Sequence, residues 1–387
     1  MSGTPVAVVG GGVIGASVAY HLALRGMRDV VVLDRSPGPG EGSTGRATGG
    51  FRAQFGTGIN VRLSLLAREK LLRFSQEIGV DPGYLPAGYL WLATTEAELA
   101  ELRAGRLLQR AEGLHEAVEV DAADIARLNP ALRLDGVIGG TFCPTDGFIQ
   151  PRRILEGYLA AAERCGVRIQ WGTEVTGFVQ REDGRIAGVE TSRGRIDVDA
   201  VVNAAGAWAA SVADLAGIDL PVVPLRRQVA VTTPCDLLPA TMPMTLFAGD
   251  GFHLRVRDGR VMLLQPSPGV PGRPFDTRVD REWIDAVTET AHRRLPVLRR
   301  AAIDRAACWA GLYEVSPDKH AIVGAAPGCG NLFLINGSSG HGVMHAPALG
   351  QLLAEIICDG RASALDVTAL RPSRFDEGAA VRGPGML

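Results

Sequence analysis

The sequence predicts an α/β fold, α+β overall, in which an open parallel-sheet domain is interleaved with a β-sheet-rich one. Three observations predict it. A strand, glycine turn, helix and strand open the chain at residues 5–34. The segment 221–305 changes character, becoming β-rich and then helical. A strand, a small-residue loop and an amphipathic helix close the chain at 331–357.

Taken in order, "PVAVV" (5–9) is a buried parallel-type strand, 13–26 a helix and "DVVVLD" (29–34) a second strand, together a βαβ unit. Residues 35–58 are Gly/Ser/Thr/Pro-rich and read as loop, and "NVRLSLLAREKLLRFSQEIG" reads as an amphipathic helix. A less regular stretch follows, with "GYLWLATT" as strand and "EAELAELRAGRLLQRAEG" as helix. After "TDGFIQP" come the helix "RRILEGYLAAAERCG", the strands of "VRIQWGTEVTGFVQ" with a hairpin through "REDGR", and "DAVVNAAGAWA". The helix "DREWIDAVTETAHRRLPVL" ends the β-rich segment. The domain expectation is 1–80, 143–220 and 308–387 for the nucleotide domain, and 81–142 with 221–307 for the second. The tail "RGPGML" reads as loose.

At 387 residues, 46% hydrophobic and net charge −2, the chain has the core of a two-domain globular protein. No basic stripe asks for nucleic acid or an anionic membrane. The six cysteines form no CxxC and no His/Cys cluster has metal spacing, so the metal expectation is none. The apolar N-terminus lacks a basic n-region and is broken by glycines, and the long uncharged runs at 1–24 and 320–354 are interrupted by glycine and polar residues, so no membrane span of roughly 18 apolar residues is expected. The expectation is a cytoplasmic protein. Of 40 basic residues only Lys70 and Lys319 are lysine, leaving 38 arginines.

Gly10-x-Gly12-x-x-Gly15 sits between strand and helix, and Asp34 ends the next strand. Gly10 permits the turn, Gly12 lets backbone approach a pyrophosphate, Gly15 lets helix pack on strand, and Asp34 can hold a ribose hydroxyl pair. The first domain is therefore Rossmann-like, and Asp34 disfavours a 2′-phosphate.

Together with that fingerprint, "GSTGRATGGFRAQF" (42–55), "VVNAAGAWA" (201–209), "PLRRQ" (224–228), "CWAGLYEVSPDKHAIVG" (308–324) and "NGSSGHGVMHAPALG" (336–350) carry a resemblance. The chain resembles the D-amino-acid-oxidase-like superfamily of FAD-dependent oxidoreductases over nearly its whole length. The closer likeness is to the sarcosine/glycine oxidase branch, including heterotetrameric sarcosine oxidase and the β subunit of dye-linked L-proline dehydrogenase.

The resemblance implies an FAD domain interleaved with a sheet-rich substrate domain. Val13, Ile14 and Arg35 would flank the fingerprint. Ser43, Thr44, Arg46, Ala47, Gly49 and Gly50 would line the flavin and ribityl chain. Val175 would meet the adenine end, with Ala205, Gly206, Trp208 and Gly311 close to the cofactor. Gly337, Ser338, Gly340, His341, Gly342, Val343 and Met344 would wrap the ribityl and the pyrimidine edge. A helix starting near Val343 would aim its positive end at charge developing there.

The resemblance further implies oxidation of a C–N bond in a small amino acid or N-alkyl amino acid, by hydride transfer to flavin, with hydrolysis of the resulting imine. Arg52, in "GGFR", is the candidate for the substrate carboxylate, and Tyr313 and His253 are candidates to face the substrate. Arg226 and Arg227 read as charges at the domain junction, and His345 and His320 as weaker candidates. Relatives with flavin attached through cysteine carry it where this chain has Gly311, which implies noncovalent FAD. Met344 stands where sarcosine oxidases place a lysine, and "RVMLLQPS" also lacks one. That departure favours an electron acceptor other than oxygen. Two alternatives stay open: an FAD subunit that needs partner subunits, and a flavin-bound assembly factor without turnover.

Overall fold

The structure, a computed structural model, describes residues 5–267, 274–381 and 383. The tail 382–387, Gly383 apart, and the first four residues lie outside the described residues.

A fully apolar run such as Val6–Val9 must bury both faces, and parallel pairing on both sides achieves this. It lies between Ala200–Asn203 and Val30–Asp34, with Cys329–Asn336 and Arg168–Trp171 outside them, all parallel. Ile322–Ala326 closes one edge antiparallel to Cys329–Asn336, giving six strands. The helices Val13–Leu24, Gly58–Ile78, Pro151–Arg164 and Gly342–Asp359 pack into the core on one face. Ser17 Oγ in the first donates to Ala346 O in the last at 2.8 Å. The two helices close so tightly there that a Cβ at Gly350 would stand 2.1 Å from Ser17 Oγ. The other face carries the antiparallel strands Val175–Gln180, Ile186–Thr191 and Gly194–Asp197 and the helix Ala209–Asp214.

A second sheet has eight strands, in the order Trp309–Val315, Val223–Val231, Arg260–Leu264, His253–Arg257, Met244–Phe247, Tyr89–Ala93, Gly139–Cys143 and Val118–Val120. Alternation along each strand divides its faces. Leu254 and Val256 pack with Trp283, Ile284 and Val287 of the helix Arg281–Arg294. His253 and Arg255 stand on the opposite face.

The stretch 35–58, read as loop, contains the helical turn Ser43–Arg46 and the strand Gly50–Phe51, which pairs with Gly147–Phe148. Elements of four and two residues are too short to show a period. The less regular 81–142 stretch supplies three strands of the second sheet, and Asp121 and Asp124 form a capping box on its helix Ala122–Leu128. Among the described residues no helix is long and apolar enough to cross a membrane.

Candidate functional site

The carboxyl ends of the parallel strands share one edge of the six-stranded sheet, where open α/β folds hold ligands. A cavity of about 990 Å³ opens there and continues between the two sheets. Its volume is at the top of the roughly 300–1,000 Å³ usual for ligand pockets.

At the first-sheet end, Gly10, Gly12, Val13, Ile14, Asp34 and Arg35 line the cavity. Gly10 has φ +107, and a Cβ there would meet Ala204 O at 2.4 Å. Gly15 lies behind the wall: its Cβ would stand 2.0 Å from Gly10 O, the helix-on-strand contact its position demands. The Asp34 carboxylate accepts from the Gly11 and Ser36 N–H groups at 2.7 and 2.8 Å, which fixes its position at the strand end. Val13 N donates to Thr44 Oγ1 at 3.1 Å, tying the 43–46 turn to the helix N-terminus. Val175, Ala205, Gly206 and Trp208 also line this end, where Arg35 lies over the Trp208 ring at 4.3 Å.

Ser43, Arg46, Ala47, Gly49, Gly50 and Gly311 line the middle. This loop is held from the second sheet. Ser43 Oγ donates to Leu312 O at 2.7 Å and Trp309 Nε1 to Arg46 O at 2.9 Å. Arg255 Nη1 donates to Thr48 O and Gly49 O at 2.6 and 2.9 Å, and Arg257 Nη1 to Ala47 O at 3.1 Å. Ser338, Gly340, His341, Gly342, Val343 and Met344 line the facing wall, at the N-terminus of the helix Gly342–Asp359. Gly337 stays behind it, packed on Ser316 and Ile322.

Arg52, His253, Tyr313 and Met344 all line the cavity, and Arg52 is within electrostatic reach of His253 and Tyr313. Arg52 is 5% exposed, donates to Gln54 O at 2.7 Å and contacts His341 Nε2 at 3.3 Å. Its guanidinium lies over Phe55, and burial lowers its pKa to about 10. His253 Nδ1 donates to Gly251 O at 2.8 Å; burial, with Arg52 and Arg227 nearby, lowers its pKa to about 4. Its Nε2 is then an acceptor at neutral pH. Burial raises the Tyr313 pKa, opposed by Arg227 and Arg52.

His345, bonded to Ser64 Oγ at 2.8 Å, and His320, bonded to Thr57 Oγ1 at 2.8 Å, stand outside the lining. Arg226 pairs with Asp280 at 2.5 Å, whereas Arg227 lines the cavity between the two sheets. Lys319, matched to no lysine motif, also lines it. Sequence reading missed Tyr89, Asp146 and Glu314. Asp146 is fully buried, accepts from Ala53 N at 2.7 Å and Gln54 Nε2 at 3.2 Å, and burial raises its pKa to about 6. Its only sequence signal is an acid in the turn "TDGF".

The residues present fit a bound dinucleotide. A Cβ at Gly206 would meet nothing within 4 Å, and at Gly12 only Thr44 Oγ1 at 3.5 Å, so both present backbone to open space. Ser338 Oγ and Glu314 Oε2 are buried with no partner among the described residues, where the edge strand of the second sheet meets the loop before the last helix. Among the described residues no cluster could hold a metal.

The chain matches the DAO family model, FAD dependent oxidoreductase, over residues 5–356. It is 31% identical to mitochondrial dimethylglycine dehydrogenase of Rattus norvegicus across 95% of its own length, but spans only 44% of that protein. With glycine oxidase of Geobacillus kaustophilus identity is 28%, covering 91% of this chain and 92% of that one. The crystal structure of L-proline dehydrogenase from P. horikoshii superposes with TM-score 0.90 at 28% identity, covering 98% and 99% of the two chains.

Proposed function

The chain belongs to the DAO family of FAD-dependent oxidoreductases, and from that premise we propose that it oxidises the C–N bond of a small amino acid or N-alkyl amino acid. One observation carries the reading. The cavity runs past the glycine turns to a chamber where Arg52 stands within electrostatic reach of both Tyr313 and His253, and Met244, Leu246, Leu264 and Met344 are among the apolar residues of the cavity lining. Holding a nucleotide alone requires no such chamber.

FAD, when bound, supplies the acceptor for the hydride equivalent at its N5. Gly10, Gly12 and the helix N-terminus beyond would hold the pyrophosphate, Asp34 the ribose, and Gly340 to Met344 the pyrimidine edge. None of the six cysteines is among the lining residues, which supports noncovalent FAD. Arg52 would bind the substrate carboxylate. Arg52 and Arg227 also favour the neutral amine, whose lone pair the reaction needs. His253 Nε2 can accept a hydrogen bond from that amine and so orient it. Loss of the C–H hydride and the N–H proton leaves an imine, and water then gives the carbonyl and the free amine. We also propose the two-domain division given by the sequence.

Anaerobic titration of the purified flavoprotein with primary, secondary and cyclic amino acids tests the proposal: one class should bleach the flavin. Bleaching by none, in protein that carries FAD, would leave the assembly-factor reading. Turnover with an artificial dye only in the presence of partner chains would favour the subunit reading.

A further inference from the structure

We propose that Arg227 receives a second anionic group on the substrate, so that the chamber prefers an amino acid bearing two carboxylates, in an N-carboxymethyl group or the side chain. This rests on the amine-oxidising reading above.

Arg226 and Arg227 are adjacent on one strand and therefore face opposite ways. The antiparallel register sets Leu225 against Tyr313 and Arg227 against Gly311, and all four line the cavity. Arg226 points the other way, to Asp280 and to Arg278 O at 2.7 Å. Arg227 makes no ion pair among the described residues, and no residue outside them is acidic. Among the described residues its one hydrogen bond is a long contact of 3.4 Å to Arg226 O, and its guanidinium stands 5.6 Å from the centre of the Tyr313 ring.

The other arginines at the cavity are engaged by protein. Arg46 donates to a loop carbonyl, Arg35 lies beside Glu174 at 4.0 Å, and Arg52 donates to Gln54 O with buried Asp146 nearby. A half-buried guanidinium without an anion is costly, and burial already lowers the Arg227 pKa. A carboxylate from the ligand would satisfy its paired donors, while a ligand lacking one would leave them dry. Arg52 and Arg227 both bear on His253 and Tyr313, so they border one chamber and can grip two ends of one small molecule.

The test uses two thioethers that cannot be oxidised as amines and differ by one carboxylate, methylthioacetate and thiodiacetate. Each is titrated into the FAD-loaded protein, with the flavin absorption shift as readout. Thiodiacetate should bind at least about tenfold tighter, the effect of one charge-assisted contact. Arg227→Gln should remove that preference while shifting methylthioacetate less than about threefold. Arg227→Lys, which keeps the charge, should retain part of the preference and controls for misfolding. Equal binding of the two probes to the unsubstituted protein, or equal weakening of both by Arg227→Gln, overturns the inference. If an amino acid still bleaches the flavin, the inference alone falls. If none does and neither probe binds, the amine-oxidising reading falls with it.

Discussion

Glu314 Oε1 accepts a hydrogen bond from the Ser338 backbone N–H at 3.3 Å, so the edge strand of the second sheet holds the cavity loop through a buried carboxyl. Burial raises the Glu314 pKa from 4.5 to about 7, and its Oε2 has no partner among the described residues. A raised folded pKa means that the folded state keeps a proton the unfolded chain has released. Stability therefore falls as pH rises from about 4.5 to about 7 and levels off beyond, by at most about 3 kcal/mol. Glu314→Gln should flatten this component and be more stable than the unsubstituted protein at pH about 8. Urea unfolding across that range measures it, and parallel curves for the two proteins would refute it.

Arg255 is 3% exposed, with its guanidinium 3.7 Å from the Phe148 ring centre and its Nη1 on two loop carbonyls. Arg255→Met keeps most of the apolar stem and strands those carbonyls. The cost should be about 2–4 kcal/mol. Because Gly49 and Gly50 line the cavity, FAD retention should fall as well. Thermal unfolding and the flavin-to-protein ratio after gel filtration check both effects, and full retention of FAD would show the loop to be held by its other contacts.

Arg52→Lys keeps a positive charge but loses the planar fork. If Arg52 grips the carboxylate, KM for the amino acid that bleaches the flavin should rise at least about tenfold, with FAD content preserved. An unchanged KM would remove Arg52 from the substrate site and leave it the role of holding Gln54 O.

The nucleotide end was legible because its chemistry is local. Gly10, Gly12, Gly15 and Asp34 fall within one βαβ unit, and the structure brings Gly10, Gly12 and Asp34 to the cavity with Gly15 packed behind Gly10. The chamber was less legible because it is assembled across a sheet whose strands are far apart in sequence. Arg227 and Gly311 are register partners, yet nothing local to "PLRRQ" distinguishes the cavity-facing arginine from its neighbour. Asp146 was hidden for a similar reason: its partners, Ala53 and Gln54, lie over ninety residues away. Lys319 was set aside on motif grounds, and only its place after the edge strand brings it to the cavity.

That lysine bears on the electron acceptor. Met344, 6% exposed at the start of the last helix, brings no charge to the wall where a cation would stabilise electron transfer to oxygen. Lys319 is exposed, where water screens its charge. Re-oxidation of the substrate-reduced flavin by air should therefore be at least about tenfold slower than by an artificial dye. Stopped-flow mixing of the bleached protein with each acceptor measures the ratio. Comparable rates would overturn the preference for a non-oxygen acceptor. Repeating the air reaction with Lys319→Met would then identify the cation: a large loss assigns it to Lys319, and an unchanged rate assigns it to the arginines of the chamber.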